Sequence, residues 1–494
     1  MNSVNSASVG LALQLVGVLQ LLFFLQMLPH LRRAFLSVAY GGYGDDRLVT
    51  RILQSPPLLV IGSAAWVGGS VLLISDRLPL LGALLQLVIA QYVFIRVRWT
   101  SLSRGCGAPG YCSYWLSLAA SLLCVGSLLS PAALQWLSLA ITIDFALIFL
   151  VAGLYKVASG YASGFGVLLG LANPEWGYAP NFWQRRRPKA AYFKVLDTYG
   201  WLGEIVGALL ILVPATRAIG AVVIAAMFLA LVPLVRLGTL TLVVIGQCLL
   251  VILLAGDPLS LALKALLGVA NVSGDAPVAE VHGLLVAGVL VYLGFIILGY
   301  TLMLANFFAS KRLPGGIQSI GEISSNALGQ ILWRVFTADV TDFYVNIFAS
   351  SVRDSGKQLI SRWSGIGWGR YQDVTEAITV TSIFTTRRYF PGDHPRFTDR
   401  LMRYAQTLGN AHGDIYIFEL THLDFAADHV RCTTAVRFIV DRTSGSIKRE
   451  QLESSDPTAA PSVHTRSRPG SRPGSYLPSQ PPGSPSTGSS SVSS

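Results

Sequence analysis

Long apolar runs separated by short polar segments fill the first 312 residues of the chain. A helix needs roughly 20 apolar residues to cross a hydrocarbon layer of about 30 Å. Nine runs approach that length: 9–29, 57–74, 78–95, 114–130, 133–155, 201–215, 218–235, 239–255 and 281–306. The pattern therefore predicts about nine membrane spans. Pro214, Arg217, Pro233 and Arg236 interrupt the runs between 201 and 255, which leaves open a re-entrant or broken segment there.

Arginine and lysine fall mainly in alternate loops between these runs. If the amino terminus is placed outside, the inner loops carry most of the cations: Arg32, Arg33, Arg47, Arg51, Arg96, Arg98, Arg104, Arg185, Arg186, Arg187, Lys189, Lys194, Lys311 and Arg312. The opposite side keeps Arg77, Arg217 and Lys264. Because cytoplasmic loops are enriched in basic residues, this asymmetry predicts an internal carboxyl terminus. One miscounted span would invert everything after it.

The chain changes character at about residue 313, where charged residues become frequent and apolar runs shorten. This change predicts a small soluble α+β domain over 313–450. Within it we expect one or two amphipathic helices at 325–360. The β-branched stretch 377–389 is typical of a long strand or a strand pair. Residues 396–408 carry apolar side chains at helical spacing and predict a helix.

Two further segments of the soluble region, 414–423 and 430–441, alternate apolar and polar residues and predict strands, and the sequence DRTSG that follows predicts a turn. The Ser-, Pro- and Gly-rich tail 451–494 cannot bury a core and is expected to be disordered. The predicted fold is thus a polytopic α-helical membrane domain, 1–312, followed by the soluble α+β domain and this tail.

Composition supports an integral, multi-pass membrane protein. Hydrophobic residues make up 52% of the chain and charged residues only 13%, with a mean hydropathy of +0.54; soluble proteins carry about 25% charged residues. The net charge of +11 is typical of loops that face anionic lipid rather than nucleic acid. We expect the lipid bilayer as the main partner, no nucleic acid, and the cell membrane as the location. The first segment lacks a basic n-region, which favours a membrane helix over a cleaved signal peptide.

Five cysteines are too few for a disulfide framework. Cys106 and Cys112 bracket the loop GCGAPGYC and can pair if that loop faces an oxidising compartment. No histidine lies near them, so a metal site is not expected there.

The residues AGLYK, which end at Lys156, close the fifth apolar run. A lysine at membrane depth is costly and is by default a functional candidate. Desolvation disfavours the ammonium, so such an amine can act as a general base. The alternative is a lysine at a helix end that extends to the membrane surface.

AGLYK, the small-residue segment after it and the following apolar helix resemble the vitamin K-dependent carboxylase family and its bacterial relatives, the horizontally transferred transmembrane (HTTM) domain proteins. The segments DTYGWLGEIVGALLILVPATRAIGAVVIAAMF and IFTTRRYFPGDHPRFTDRLMRYAQTL followed by GDIYIFELTHLDF are also similar to segments of that family. The resemblance covers roughly residues 80–445.

The resemblance implies that Lys156 is the base that deprotonates a reduced vitamin K or menaquinone bound between helices, without a metal. In the carboxylases a protein or peptide glutamate is the substrate. This sequence departs from the pattern: KVASGYASG lacks the acidic residue and tryptophan, and 31–281 contain no histidine. These departures leave open a non-catalytic scaffold, or a lipid- or quinone-binding module of the same fold. A third alternative is a redox-partner subunit similar to DoxX-type proteins, which would use Cys106 and Cys112.

Three other polar residues in the apolar runs are candidate supporting groups. Tyr155 precedes the lysine directly. Asp144 lies 12 residues before Lys156, too far to touch it along one helix, and can pair with an arginine of another span. The resemblance gives Glu204 some importance, and the alternative is favourable charge placement at a helix amino terminus.

The basic cluster Arg185, Arg186 and Arg187 is expected to contact the anionic inner leaflet, with phosphate or propeptide binding as the alternative. The histidines of the soluble region lack the spacing of a metal site, and no metal is expected.

Overall fold

The computed structural model describes most of the apolar region and the core of the carboxyl-terminal region. The described residues are 6–28, 31, 48–93, 108–158, 161, 166–187, 191–268, 283–308, 314, 316–317, 320, 342–350, 357–361, 377, 379–381, 383–384, 394–408, 413–426 and 428–452. The predicted tail falls outside them, except at its first two residues.

The fold is mostly helical. Its helices are α1 Ser6–Met27, α2 Leu48–Leu53, α3 Pro56–Ile74, α4 Pro79–Ala90, α5 Ala108–Leu129, α6 Pro131–Ala158, α7 Gly166–Ala172, α8 Pro180–Gln184, α9 Ala191–Leu212, α10 Arg217–Leu231, α11 Leu240–Leu254, α12 Pro258–Leu266, α13 Gly283–Phe308 and α14 His394–Gln406. A short 3-10 turn, Pro214–Thr216, joins α9 to α10.

Seven helices of the described chain are long and apolar enough to cross a membrane: α1, α3, α5, α6, α9, the turn with α10, and α13. Helices α11 and α12 form an eighth span if the pair, bent by 108°, is counted as one. The apolar helix over Pro79–Val93 is shorter. Each of the nine predicted runs therefore contains a helix over most of its length. The prediction of nine full membrane spans is not confirmed. The interruption expected between 201 and 255 takes the form of the 3-10 turn at Pro214.

Glycines allow neighbouring helices to approach closely. A Cβ at Gly220 on α10 would lie 2.5 Å from the Gly207 carbonyl oxygen on α9 and 2.7 Å from the Ile211 nitrogen. Gly69 on α3 and Gly82 on α4 face each other in the same way, with the Gly82 Cβ position 2.9 Å from the Gly69 oxygen. Close packing of backbones through small residues is a common way for helices to associate in lipid.

A five-stranded antiparallel sheet follows the helices, in the order β2-β1-β3-β4-β5. Its strands are β1 Phe343–Ser350, β2 Lys357–Leu359, β3 Ile415–Phe425, β4 Val430–Asp441 and β5 Ser446–Gln451. One face carries an aromatic cluster, in which the Phe397 ring of α14 lies 5.1 Å from Phe438 and 5.4 Å from Phe384.

The sequence predictions for this region are partly confirmed. The helix at 396–408, the strands at 414–423 and 430–441 and the turn between β4 and β5 are present. The prediction of amphipathic helices over 325–360 is wrong where it is described, because Phe343–Ser350 is a strand that buries every second side chain. Residues 325–341 lie outside the described chain.

The predicted strand at 377–389 is also wrong for the residues that the structure describes. Residues 377, 379–381, 383 and 384 are helical. Ala377, Val380 and Phe384 are buried at helical spacing, and the Phe384 ring packs against Phe418 of the sheet. Packing of one apolar helix face therefore outweighs the β propensity of the threonines and isoleucines.

Substitution of Gly220 by alanine should separate α9 from α10, because the new methyl group meets backbone atoms that cannot move independently. We expect a loss of about 1–3 kcal/mol in the free energy of unfolding, measured by thermal unfolding in detergent. Gly294 on α13 provides the matched control, since a Cβ there meets nothing within 4 Å among the described residues. Gly294→Ala should be neutral or mildly stabilising through helix propensity. Equal melting temperatures for the two variants would contradict the close contact.

Candidate functional site

Lys156 lies in the last turn of α6 and is buried, with 6% of its surface exposed. Its Nζ forms an ion pair with Oε1 of Glu204 on α9. The lysine therefore does not extend to the surface, as the structural alternative had required. Its charge is compensated inside the helical domain.

A close helix contact brings the two charges together. A Cβ at Gly153, one turn before Lys156, would lie 2.6 Å from the Ile205 Cγ1 atom and 2.9 Å from the Trp201 carbonyl oxygen. Only glycine fits at this crossing of α6 and α9. Because Glu204 is adjacent to Ile205, the crossing sets its carboxylate opposite the lysine.

The expected placement of Glu204 at a helix amino terminus is wrong. Helix α9 begins at Ala191, so Glu204 lies in the fourth turn, fully buried. The helix dipole acts mainly within the first turn and does not compensate the charge there. Its Oε2 is also buried and has no hydrogen-bond partner among the described residues. One oxygen of the pair is thus open to a further proton or donor.

Two polar residues near the pair were missed by the sequence analysis. The Lys156 Nζ lies 5.9 Å from the centre of the Tyr161 ring, which packs against the backbone at Gly166 and Gly200. Asp197, two turns before Glu204 on α9, is buried and accepts a hydrogen bond from the Val167 N–H at 2.7 Å. The seven-residue spacing of Asp197 and Glu204 was the available signal, since it places both acids on one helix face.

Asp144 belongs to a different part of α6. It is buried and accepts a hydrogen bond from the Trp115 indole at 2.9 Å, and the Tyr292 hydroxyl of α13 faces the same carboxyl group. No arginine of the described chain pairs with Asp144, and its Oδ1 has no hydrogen-bond partner there. The suggested arginine partner therefore stays a prediction. Twelve residues of helix separate Asp144 from Lys156, about 18 Å along the axis.

The remaining predicted site residues are Tyr155 and the basic cluster. Tyr155 is buried in the helix core. Arg185, Arg186 and Arg187 are exposed after α8, and Arg186 stacks over the Phe182 ring at 4.0 Å. The structure contains no lipid or other ligand at this basic cluster, so its contact with lipid stays a prediction.

The cysteine pair suggested for Cys106 and Cys112 lies partly outside the described residues. Cys112 is buried in α5, and Cys106 lies outside the described chain, so their pairing stays a prediction. Within the described ranges, no three His, Cys, Asp or Glu side chains are grouped closely enough to hold a metal ion.

A second buried acid joins the helical domain to the sheet. Glu175, in the loop between α7 and α8, accepts hydrogen bonds from the Val345 N–H at 2.8 Å and from the Thr381 hydroxyl at 2.7 Å. Asn173 of the same loop donates to the Phe343 carbonyl at 2.7 Å. Strand β2 pairs only with the far end of β1, so these contacts satisfy the uncovered edge of β1.

Burial raises the pKa of the Glu175 carboxyl to about 8, although the Thr381 hydroxyl and the Val345 N–H partly oppose the rise. Arg236 fixes the same loop from the other side, since its Nη1 donates to the Pro174 carbonyl at 3.1 Å. The loop 173–177 therefore attaches the sheet to the helical domain, near the end of α6 that carries Lys156.

Comparison with known proteins adds no family to this geometry: no family model, no curated protein and no solved structure matches the chain.

Breaking the ion pair should be more costly than removing it. Lys156→Met leaves the Glu204 carboxylate buried without its counter-charge, and we expect a loss of about 3–5 kcal/mol in unfolding free energy. The double variant Lys156→Met/Glu204→Met should recover most of this loss, because neither charge remains. Thermal unfolding of Lys156→Met, of Glu204→Met and of the double variant measures the coupling energy between the two side chains. Additive losses would contradict a buried pair.

The docking of the sheet should weaken as pH rises. The pKa of Glu175 is higher in the folded chain, at about 8, than in an unfolded chain, at about 4.5. The folded state therefore binds more protons between these values, and the stabilisation present below pH 4.5 is lost as pH rises through 8. The melting temperature between pH 5 and 9 should fall by about 2–4 °C for each kcal/mol lost. Glu175→Gln, a mimic of the protonated acid, should remove this part of the pH dependence; an unchanged slope would refute the assignment.

Proposed function

We propose that the chain is a multi-pass protein of the cell membrane in which Lys156 and Glu204 form a buried proton-transfer site for a reduced quinone, as in the carboxylase-like family that the sequence resembles. The observation that carries this proposal is the buried ion pair with one carboxylate oxygen open.

The protons that the pair can hold define its chemistry. Lys156 and Glu204 together hold one proton between Nζ and Oε1, whether it is drawn as an ammonium with a carboxylate or as an amine with a carboxylic acid. The pair can take one more proton, which leaves a protonated acid beside an ammonium. Oε2 of Glu204 is the open position for that proton. In this arrangement Lys156 sets the basicity of the site, and Glu204 shares the role of base.

The residues beside the pair fit a flat apolar molecule with a weakly acidic hydroxyl. The Tyr161 ring lies next to Nζ, and the buried Trp201 indole N–H, one turn before Glu204, has no acceptor among the described residues. An aromatic face with two open polar atoms can orient a hydroquinone oxygen. When bound, the hydroquinone supplies the acidic hydroxyl and the electrons for reaction with oxygen.

The seven described helices that are long and apolar enough to cross a membrane support the membrane location. Large apolar side chains cover their outer surfaces, for example Val60 at 68% and Val195 at 66% exposed. Such surfaces favour a lipid environment, since soluble proteins seldom expose large apolar patches to water. The distribution of arginine between loops favours an inner position for the end of α6 that carries Lys156.

A non-catalytic scaffold, or a lipid- or quinone-binding module of the same fold, is the second candidate. The absence of histidine from residues 31–281 favours it, because the pair then lacks the donor that stabilises a developing oxyanion in the carboxylase family. This candidate predicts retention of quinone without consumption of oxygen.

The enzyme and the scaffold differ in oxygen uptake. The full chain in lipid nanodiscs should consume oxygen when reduced menaquinone is added, and bound menaquinone should be detected by mass spectrometry. The folded double variant Lys156→Met/Glu204→Met should lose turnover at least 100-fold, the scale of a positioned general base. Lys194→Ala, an exposed lysine on α9, is the matched control and should keep full activity.

Bound menaquinone without oxygen uptake would refute the enzyme and support the binding module. Turnover that survives in the double variant would remove Lys156 and Glu204 from the chemistry.

A further inference from the structure

A cavity of about 340 Å³, lined by both polar and apolar side chains, lies at the opposite end of α6 from Lys156. It is bounded by the first turns of α6, by the turn between α9 and α10, and by the break between α11 and α12. Ser138 lies 18 residues before Lys156, or about 27 Å along the helix axis. The cavity is therefore separate from the ion pair, and its volume lies within the range of about 300–1,000 Å³ of small-molecule sites.

Asp257 forms one rigid wall of this cavity. Its Oδ1 accepts the Ser260 N–H at 3.1 Å and its Oδ2 accepts the Ala218 N–H at 3.2 Å. The carboxylate thus caps the amino termini of both α10 and α12, whose positive ends compensate its charge. The break between α11 and α12 is held further by the Lys264 ammonium, which donates to the Ala255 carbonyl at 2.7 Å.

Three side chains that line the cavity have polar groups without a partner among the described residues. Arg217 donates through Nε to the Ile211 carbonyl at 3.3 Å, whereas no described acceptor binds its terminal nitrogens. Ser138 is buried, with 3% of its surface exposed, and its hydroxyl has no hydrogen-bond partner in the described chain. The Gln135 side-chain amide likewise has none among the described hydrogen bonds. Buried polar groups are nearly always hydrogen-bonded, so an unpaired hydroxyl here indicates a missing partner.

We propose that this cavity binds the anionic head group of a membrane amphiphile. Its oxyanion contacts the Arg217 guanidinium, which presents paired donors suited to phosphate, and the Ser138 and Gln135 side chains complete the contacts. The acidic wall does not repel the anion strongly, because both oxygens of Asp257 are engaged by backbone N–H groups.

The position of the cavity favours a lipid over free phosphate. Helix α9 ends and helix α10 begins beside the cavity. The end of a membrane span lies close to the lipid head groups. Leu139 and Leu254 line the cavity, and Val213, beside it in the chain, is 50% exposed. An acyl chain can leave the cavity along these side chains, whereas inorganic phosphate would use only the polar wall.

Lipid binding by the full chain in detergent tests the proposal. Native mass spectrometry should show phosphatidylglycerol bound at least tenfold more tightly than phosphatidylcholine. Arg217→Gln should weaken phosphatidylglycerol binding about tenfold or more, and Ser138→Ala about threefold to tenfold, as expected for a charged and a neutral hydrogen bond. Arg77→Gln changes an exposed arginine on the predicted same side, outside the cavity, and should have no effect.

Each other outcome overturns the proposal. An equal loss in the Arg77 and Arg217 variants would show general surface attraction. Inorganic phosphate that competes fully with the lipid at equal concentration would show a free-phosphate site. If Arg217→Gln unfolds, as judged by its melting temperature, Ser138→Ala decides the matter, because that substitution removes a hydroxyl without a structural partner; unchanged binding in it refutes the site.

Discussion

Burying one ammonium among apolar helices is the constraint on which the helical domain depends. An unpaired charge at this depth would cost several kcal/mol, and the ion pair with Glu204 offsets that cost for Lys156. The meeting requires α6 and α9 to approach so closely that Gly153 has no room for a side chain. Helix geometry, glycine placement and charge compensation are therefore parts of one arrangement. The same arrangement leaves one carboxylate oxygen open, which is the basis for a proton-transfer role.

Helix α6 connects three features that the sequence keeps far apart. Its carboxyl-terminal end carries the ion pair, and the loop 173–177 close behind it seats the soluble sheet through Glu175 and Asn173. Its amino-terminal end borders the cavity that Arg217 lines. The proposed quinone site and the attachment of the sheet thus lie at one end of α6, and the proposed head-group site lies at the other.

The spacing of apolar residues predicted the correct element where helical spacing was the main signal. It predicted the wrong element where helical spacing and β-branched residues occurred together. The stretch 396–408 combines helical spacing with charged intervening residues, and it is the helix that the pattern predicts. Residues 377–384 carry β-branched residues and helical spacing at once, and contact with Phe418 and Phe438 decides for the helix. Phe343–Ser350 alternates strictly in burial, and pairing with β3 makes it a strand instead of part of the amphipathic helices predicted over 325–360.

Composition and periodicity alone determined that the chain is largely apolar helix, that a small α+β region follows, and that Lys156 is an exceptional residue at the end of an apolar run. These are properties of single segments, and local hydrophobicity is sufficient to define them. Which charges pair, which acid seats the sheet, and which donors remain open were decided only by the tertiary structure. Glu204 is 48 residues from Lys156, and Glu175 is 170 residues from Val345. Contacts over such separations depend on helix crossings and strand edges, and these exist only once the whole chain is packed.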